Sequence, residues 1–284
     1  MRLLLLIPML FFSLGSLIAQ ESTVCSLESR ERLEGLLQEF SKTNLSAKTS
    51  QELILEIGKS FLGTAYVEKT LELPGEEKLV INLMGLDCTT YLESVVALAQ
   101  TIREKEFSFE GFEEKLEHLR YLNGQNTGYP SRLHYFSDWI YENQQKGLLK
   151  DITQEIGGES YPNQPSFMSE NPRFYPQLAD LTLVEKLKER EALIKTRPYF
   201  FIPKEKIRQL ESKLETGDLI AITTPLKNLD IVHVGFAVRQ NGRIHLMHAS
   251  SVSKKVEIST LPLSEYLLGN KTQSGIMVSR LILP

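Results

Sequence analysis

Apolar positions along this chain follow a helical period in the first three quarters and a period of two in the last quarter. Thr49-Ser50-Gln51-Glu52, leading into LILEIGKSFLG, has the form of a capping box on an amphipathic helix that stops near Gly63. Leu27 to Phe40 also shows helical spacing, in a charged segment expected at the surface. In GLDCTTYLESVV, residues 85–96, Asp87 is a good N-cap, which puts Cys88 at the first helical position. From there Leu92, Val95, Val96, Ala99 and Ile102 fall on one apolar face. Val80, Ile81 and Leu83 read as a short strand or extended loop. The pattern from Phe107 to Leu149 is mostly helical, residues 157–177 read as a long irregular loop, and LTLVEKLKEREALIK is a further charged helix. Beyond Gly217 come GDLIAITT, IVHVGFAV, RIHLMHAS, KKVEIS and GIMVSRLIL, strand-like runs separated by turn residues. Helices first and strands last predict an α+β domain with an antiparallel sheet.

Residues 1–20 change the picture of where this domain works. MRLLLLIPMLFFSLGSLIAQES carries one arginine, a short apolar run and then small and polar residues, the form of a secretory signal peptide ending near Ala19. The expected location is therefore the periplasm or the exterior, with no membrane span left once the signal is removed. Residues 21–284 form a single domain, with 42% hydrophobic and 24% charged residues overall, so a packed core is the expectation. The net charge of −4 and scattered basic residues give no footprint for nucleic acid.

Two cysteines and five histidines supply the candidate chemistry. Export permits a Cys25–Cys88 disulfide, but a bridge from a frayed N-terminal tail would add little and would consume the better-placed thiol. At a helix start, free N–H groups and the helix dipole stabilise a thiolate and can receive an oxyanion. Three histidines lie within IVHVGFAVRQNGRIHLMHAS, and Asn241-Gly242 is a strong hairpin signal. A two-residue loop pairs Val238 with His245 and Gly235 with His248, placing His233 and His248 on one face as diagonal neighbours about 7–8 Å apart. His245 then lies on the other face, and a bulge would exchange the two. Gly235 and Ala237 leave the His233 face small, as the approach of the Cys88 helix would require. Zinc held by Cys88, His233 and His248 is chemically conceivable, but no Cys-x-x-Cys or His-Glu-x-x-His spacing supports a metal.

Taken in order, Asp-Cys-Thr at a helix start, Gly-Asp-Leu, His-Val-Gly and His-Ala-Ser resemble the NlpC-like branch of the papain-like peptidoglycan hydrolases. FLGTAYVEKTLE, NLMGLDCTTYLE, YPSRLHYFSDWI and LETGDLIAI narrow the resemblance to a secreted N-acetylmuramoyl-L-alanine amidase-like family over roughly residues 45–284. The resemblance implies Cys88 as nucleophile, His233 as general base and acid, and His248 as the group that orients His233. The family's third residue commonly lies about twelve positions after the histidine, at His245, but strand parity and the Met-His-Ala-Ser context favour His248. Tyr66 matches a tyrosine near the oxyanion hole, Thr89 lies in the first turn that would bind the oxyanion, and Asp87 matches the acidic residue before the cysteine. Thr89-Thr90 replaces the Ser-Gly usual in endopeptidase relatives, which favours the amidase branch. Arg132 and His134 are candidate substrate contacts or ordinary packed residues, whereas Phe136 and Trp139 read as core. A helical insertion of about 105–215 is larger than in a minimal member. The activity implied is cleavage of the amide between N-acetylmuramic acid, in the 1,6-anhydro form or not, and L-alanine of muropeptides, with no cofactor. A γ-D-glutamyl endopeptidase and a non-catalytic cell-wall binding protein are the alternatives.

Overall fold

The computed structural model describes residues 23–43, 48–162 and 164–283, so the signal-peptide reading lies outside the described residues. In the N-terminal part, strand β1 (Thr23–Cys25) precedes helices α1 (Leu27–Lys42) and α2 (Ser50–Ser60). Short strands β2 (Ala65–Tyr66), β3 (Leu79–Ile81) and β4 (Gly85–Leu86) follow, and then helix α3 (Cys88–Glu104). The middle of the chain holds α4 (Phe109–Arg120), α5 (Phe136–Gln145), β5 (Leu149–Asp151) and β6 (Glu159–Ser160). It continues through α6 (Phe167–Glu170), α7 (Leu181–Ile194), β7 (Phe200–Pro203) and α8 (Lys204–Leu210). The last quarter comprises β8 (Leu219–Thr223), β9 (Ile231–Gln240), β10 (Arg243–Ser250), β11 (Lys255–Ile258), α9 (Leu263–Leu268) and β12 (Gly275–Leu281).

Ten strands form one sheet in the order β4-β2-β11-β10-β9-β8-β12-β7-β6, with β5 also on β12. Every pair in it is antiparallel except β2 with β4, so the molecule is α+β with a large, mostly antiparallel sheet. The middle segment is thus not helical alone: β5 and β7 both pair with β12 and extend the sheet. Its helical stretch is also broken: α4 ends where Tyr121 turns extended (φ −112°, ψ 152°), two short 3₁₀ turns follow, and α5 begins only at Phe136. Arg132 and His134 consequently lie on an extended link before α5. Among the described residues of 157–177 the only regular elements are β6, one-turn α6 and short 3₁₀ turns.

Alternation along the strands builds two cores. One face sends Val234, Phe236, Met247 and Ala249 against α3, and the other sends Ile220, Ala237, Ile244 and Leu246 against Leu263 and Leu267 of α9 and Ile207 of α8. A third cluster, including Tyr135, Met168 and Leu187, packs the middle segment. Helix α3 does not carry a single apolar stripe, since every residue from Thr90 to Ile102 is buried. The reason is that α1, α2 and α4 cover the sides that the sheet leaves free. Most of its polar members are engaged: Ser94 and Thr101 hydroxyls donate to the carbonyls four residues back, and Glu93 accepts from Arg120 (2.7 Å) and Trp139 (3.1 Å), whereas Gln100 Oε1 has no hydrogen-bond partner among the described residues. The segment at Cys25 is not frayed either, because β1 pairs in parallel with β3, Cys25 opposite Ile81. Although its outer face is charged, α1 buries Leu33, Leu36, Leu37 and Phe40 in the core. Among the described residues no helix is long and apolar enough to cross a membrane.

Candidate active site

Three local devices fix Cys88. Asp87 caps α3 by accepting Thr90 N–H (2.8 Å), while the Thr90 hydroxyl accepts Asp87 N–H (2.9 Å). A threonine thus fills the place that glutamate takes in the usual capping box, which gives Thr90 a structural reason. Asp87 also takes the Tyr91 N–H through its carbonyl. Upstream, Asn82 accepts Met84 N–H and Gly85 N–H (3.0 and 3.1 Å), and Arg32 and Ser29 of α1 bind the main chain of Leu83. Finally, the parallel pairing of β2 with β4 sets Tyr66 beside Leu86, two residues before the cysteine.

Cys25 and Cys88 are both free thiols. Burial pushes the Cys88 thiol up to about 12 and the Asp87 charge adds to this, opposed by hydrogen bonds from the Val234 backbone and from the Thr89 side chain and backbone. Its proton is therefore held at neutral pH until a base takes it. Tyr66, whose hydroxyl burial also pushes up to about 12 with Cys88 as the next cause, stays a neutral donor.

The hairpin delivers the histidines. Pairs Gln240–Arg243, Val238–His245 and Phe236–Met247 give the register that Asn241-Gly242 predicts. His233 Nε2 meets His248 Nδ1 at 2.6 Å with the rings nearly perpendicular. His245 points to the other side and places its Nδ1 2.8 Å from the Ser259 carbonyl. Burial lowers both members of the pair, His248 adding to the effect on His233 and Glu257 opposing it on His248, so both rings are neutral. Gly235 does not make room for the Cys88 helix, which packs on the opposite face of the sheet. A Cβ at Gly235 would stand 2.7 Å from the Met247 carbonyl oxygen and 3.0 Å from His248 Cβ, so the glycine makes room for the histidine.

Cys88, Thr89, His134 and His233 line one narrow cleft of about 140 Å³. The middle segment walls it with Leu133, Phe136, Met168 and Tyr175, and the start of β9 closes it with Asp230 to Val234. His134 Nε2 lies 2.8 Å from the Tyr129 carbonyl, and burial, then Arg132, pushes its ring down to about 3. Arg132 is turned away: its guanidinium binds Glu72, the Leu71 carbonyl (3.0 Å) and Glu77 (3.6 Å), only 5% of its side chain is exposed, and it does not line the cleft. Phe136 and Trp139 stack in the core at 4.7 Å, Phe136 reaching the cleft wall. A larger cavity of about 990 Å³, bordered by Glu110, Glu113, Glu114 and Glu117, holds none of Cys88, His233 and His248.

Sequence reasoning passed over Asp230, Met168, Tyr175 and Tyr266. Asp230 is buried, its carboxylate accepting Ser137 N–H (2.8 Å), so it joins β9 to the start of α5 across the cleft. Tyr266 of α9 packs edge-on to His248 at 5.7 Å. Asp230, directly before IVHVG, was the one with a visible signal, an acid at the mouth of a histidine strand.

The family described as AmiA-like, N-acetylmuramoyl-L-alanine amidase-like, matches residues 56–276. Among solved structures, an N-acetylmuramoyl-L-alanine amidase from Bacteroides uniformis is 38% identical over 82% of this chain and 98% of its own, with TM-score 0.78. A Bacteroides fragilis protein whose structure carries a provisional xylanase description is 34% identical over 80% of this chain and 100% of its own, with TM-score 0.76. A Legionella pneumophila protein under the family model DUF1460 is 28% identical over 90% and 95%, with TM-score 0.67. Comparison with curated proteins gives no match.

Proposed function

The chain belongs to the N-acetylmuramoyl-L-alanine amidase-like family, and we propose that it hydrolyses the amide between N-acetylmuramic acid and L-alanine of muropeptides, with Cys88, His233 and His248 as catalytic residues in a papain-like arrangement. The observation that carries this reading is a thiol at the first position of an Asp87-capped helix, sharing a cleft with a histidine whose Nε2 is held by a second histidine. Neutral thiol and neutral imidazole suit base-assisted attack rather than a resting ion pair. His233 Nε2–H donates to His248, leaving Nδ1 bare to take the Cys88 proton as sulfur attacks the carbonyl carbon. Asp87 occupies the Thr90 and Tyr91 N–H groups, so Cys88 and Thr89 N–H are the first-turn donors for the oxyanion, with the Tyr66 hydroxyl beside them. Protonated His233 releases the alanyl amine, and water, deprotonated by His233, cleaves the thioester.

Cleft chemistry favours the amidase over a γ-D-glutamyl endopeptidase. Among the described residues Asp230 is the only charged one that lines it, and its carboxylate already caps α5. Such a lining suits the uncharged lactyl-alanyl amide with its two methyl groups, whereas an endopeptidase must read a free amine and a carboxylate close to the scissile bond. The same count disfavours glycoside hydrolysis, which needs two carboxylates flanking the bond. A non-catalytic wall-binding role leaves the ordered histidine pair without a purpose. Export to the periplasm or exterior belongs to the same reading.

Digestion of defined muropeptides, with and without the 1,6-anhydro sugar, followed by mass analysis, tests it. The expected product is intact L-alanyl peptide, and Cys88→Ala abolishes its release while leaving the thermal transition in place. Cleavage at full rate by Cys88→Ala would overturn the mechanism, and a sugar product that still carries L-alanyl-D-glutamate, with only the rest of the peptide released, would transfer the protein to the endopeptidases.

A further inference from the structure

The row of polar contacts behind the thiol does not end at the histidine pair. His248 is 1% exposed, and its Nε2 is buried with no hydrogen-bond partner among the described residues. A neutral imidazole has one N–H and one bare nitrogen. If His233 keeps Nδ1 bare for the thiol, its Nε2–H donates to His248 Nδ1, and His248 carries its own hydrogen on Nε2. That N–H is a buried donor that needs an acceptor.

Three titratable groups face His248: His233 from β9, Tyr266 from α9 and Glu257 from β11. His233 is engaged on the Nδ1 side, and Tyr266 presents its ring at 5.7 Å, nearly perpendicular. Glu257 is the direct cross-strand partner of His248. Its neighbours Val256 and Ile258 turn to the α3 side of the sheet, so its own side chain shares the His248 face. Among the described residues no hydrogen bond or ion pair engages its carboxylate.

We propose that Glu257 is a positioning residue for the catalytic histidines: its carboxylate accepts the His248 Nε2–H, and the row His233–His248–Glu257 fixes both tautomers. This rests on Cys88 and His233 acting as nucleophile and base. During attack the thiol proton passes to His233 Nδ1, the two Nε2 hydrogens stay where they are, and Glu257 goes on accepting from His248. Its negative charge then stabilises the imidazolium, the part a buried aspartate plays behind a catalytic histidine in other hydrolases.

Glu257→Gln removes the charge at nearly constant size. In a Cys25→Ser background, so that only Cys88 reports, the variant is compared with its parent in the rate of iodoacetamide alkylation against pH and in muropeptide kcat and KM. Expected results are alkylation at pH 7 slowed roughly 10-fold, kcat reduced by a similar factor, KM and thermal midpoint unchanged, and the acid limb of kcat/KM moved to lower pH. Glu257→Asp recovers part of the loss. Parental alkylation and an unmoved acid limb in Glu257→Gln would overturn the proposal, as would a rate loss accompanied only by a lower thermal midpoint. The same pH shift from Tyr266→Leu but not from Glu257→Gln would assign the role to Tyr266 instead. Alkylation requires no muropeptide, so a wild-type protein that cleaves none would sink the amidase reading while the alkylation comparison still decides the role of Glu257.

Discussion

His233 can offer only one ring nitrogen to the thiol, and the group that holds the other decides which nitrogen that is. His248 stands 2.6 Å away on the same face, while His245 spends its Nδ1 on the Ser259 carbonyl across the strand. Under the proposed mechanism His248→Ala therefore lowers kcat by about 10²-fold or more, in the range of general-base contributions, and His245→Ala by far less. Steady-state rates of the two variants on one muropeptide check this, and the opposite ranking would place the orienting role on His245. Strand parity made this choice legible, because a two-residue Asn-Gly loop leaves one register. Parity says nothing about side chains on irregular links, and there the sequence was silent. Arg132 sits in a motif beside His134, yet its guanidinium faces Glu72 and Glu77, which approach from a loop some sixty residues earlier. Such long-range pairing has no local signature.

A helix start and a hairpin cooperate in this site, and each was visible as a pattern before its packing was. The Asp87 cap, the start of α3 at Cys88 and the β9–β10 register all follow from local rules. Which face of the hairpin the helix covers does not, because apolar residues line both faces of β9 and only tertiary packing assigns them. The burial of α3 from Thr90 to Ile102 has the same cause: Glu93 can be buried only because α4 and α5 bring Arg120 and Trp139 to it. Gly235 makes the element-scale point testable. Gly235→Ala puts a methyl group 2.7 Å from the Met247 carbonyl oxygen and 3.0 Å from His248 Cβ, so strand or histidine must shift. The expected cost is about 1–3 kcal/mol of stability, typical of overpacking, together with a fall in kcat as His248 moves. Urea unfolding and steady-state kinetics on the same preparation check both; an unchanged kcat would show that the histidine does not depend on the glycine.

Across the whole molecule the C-terminal sheet was the legible part, and the middle segment the least legible. β5 and β7 are three and four residues long and join the main sheet only through the distant β12, so no period could reveal them. That segment walls the cleft, and by burying His134 as the sheet buries His233 and His248 it also sets how the fold responds to acid. All three rings are lowered by burial from an ordinary value of 6.5. Below pH 6.5 the unfolded chain binds protons at these positions that the native state refuses, so stability is fully present above that pH and is lost as pH falls. Each histidine removes at most ~2 kcal/mol by pH 5. Buried Glu77, Asp151, Asp218 and Asp230 are shifted upward by burial and act in the opposite sense, since native carboxyls that protonate early favour the fold as pH drops. The two sets oppose each other, and His118, also lowered by burial, joins the histidines; His134→Asn therefore loses less stability between pH 7 and 5 than its parent, because one ring that the fold keeps neutral is gone. Urea unfolding of both proteins at several pH values reads this directly, and an identical pH dependence in parent and His134→Asn would mean that His134 is not held neutral in the folded protein.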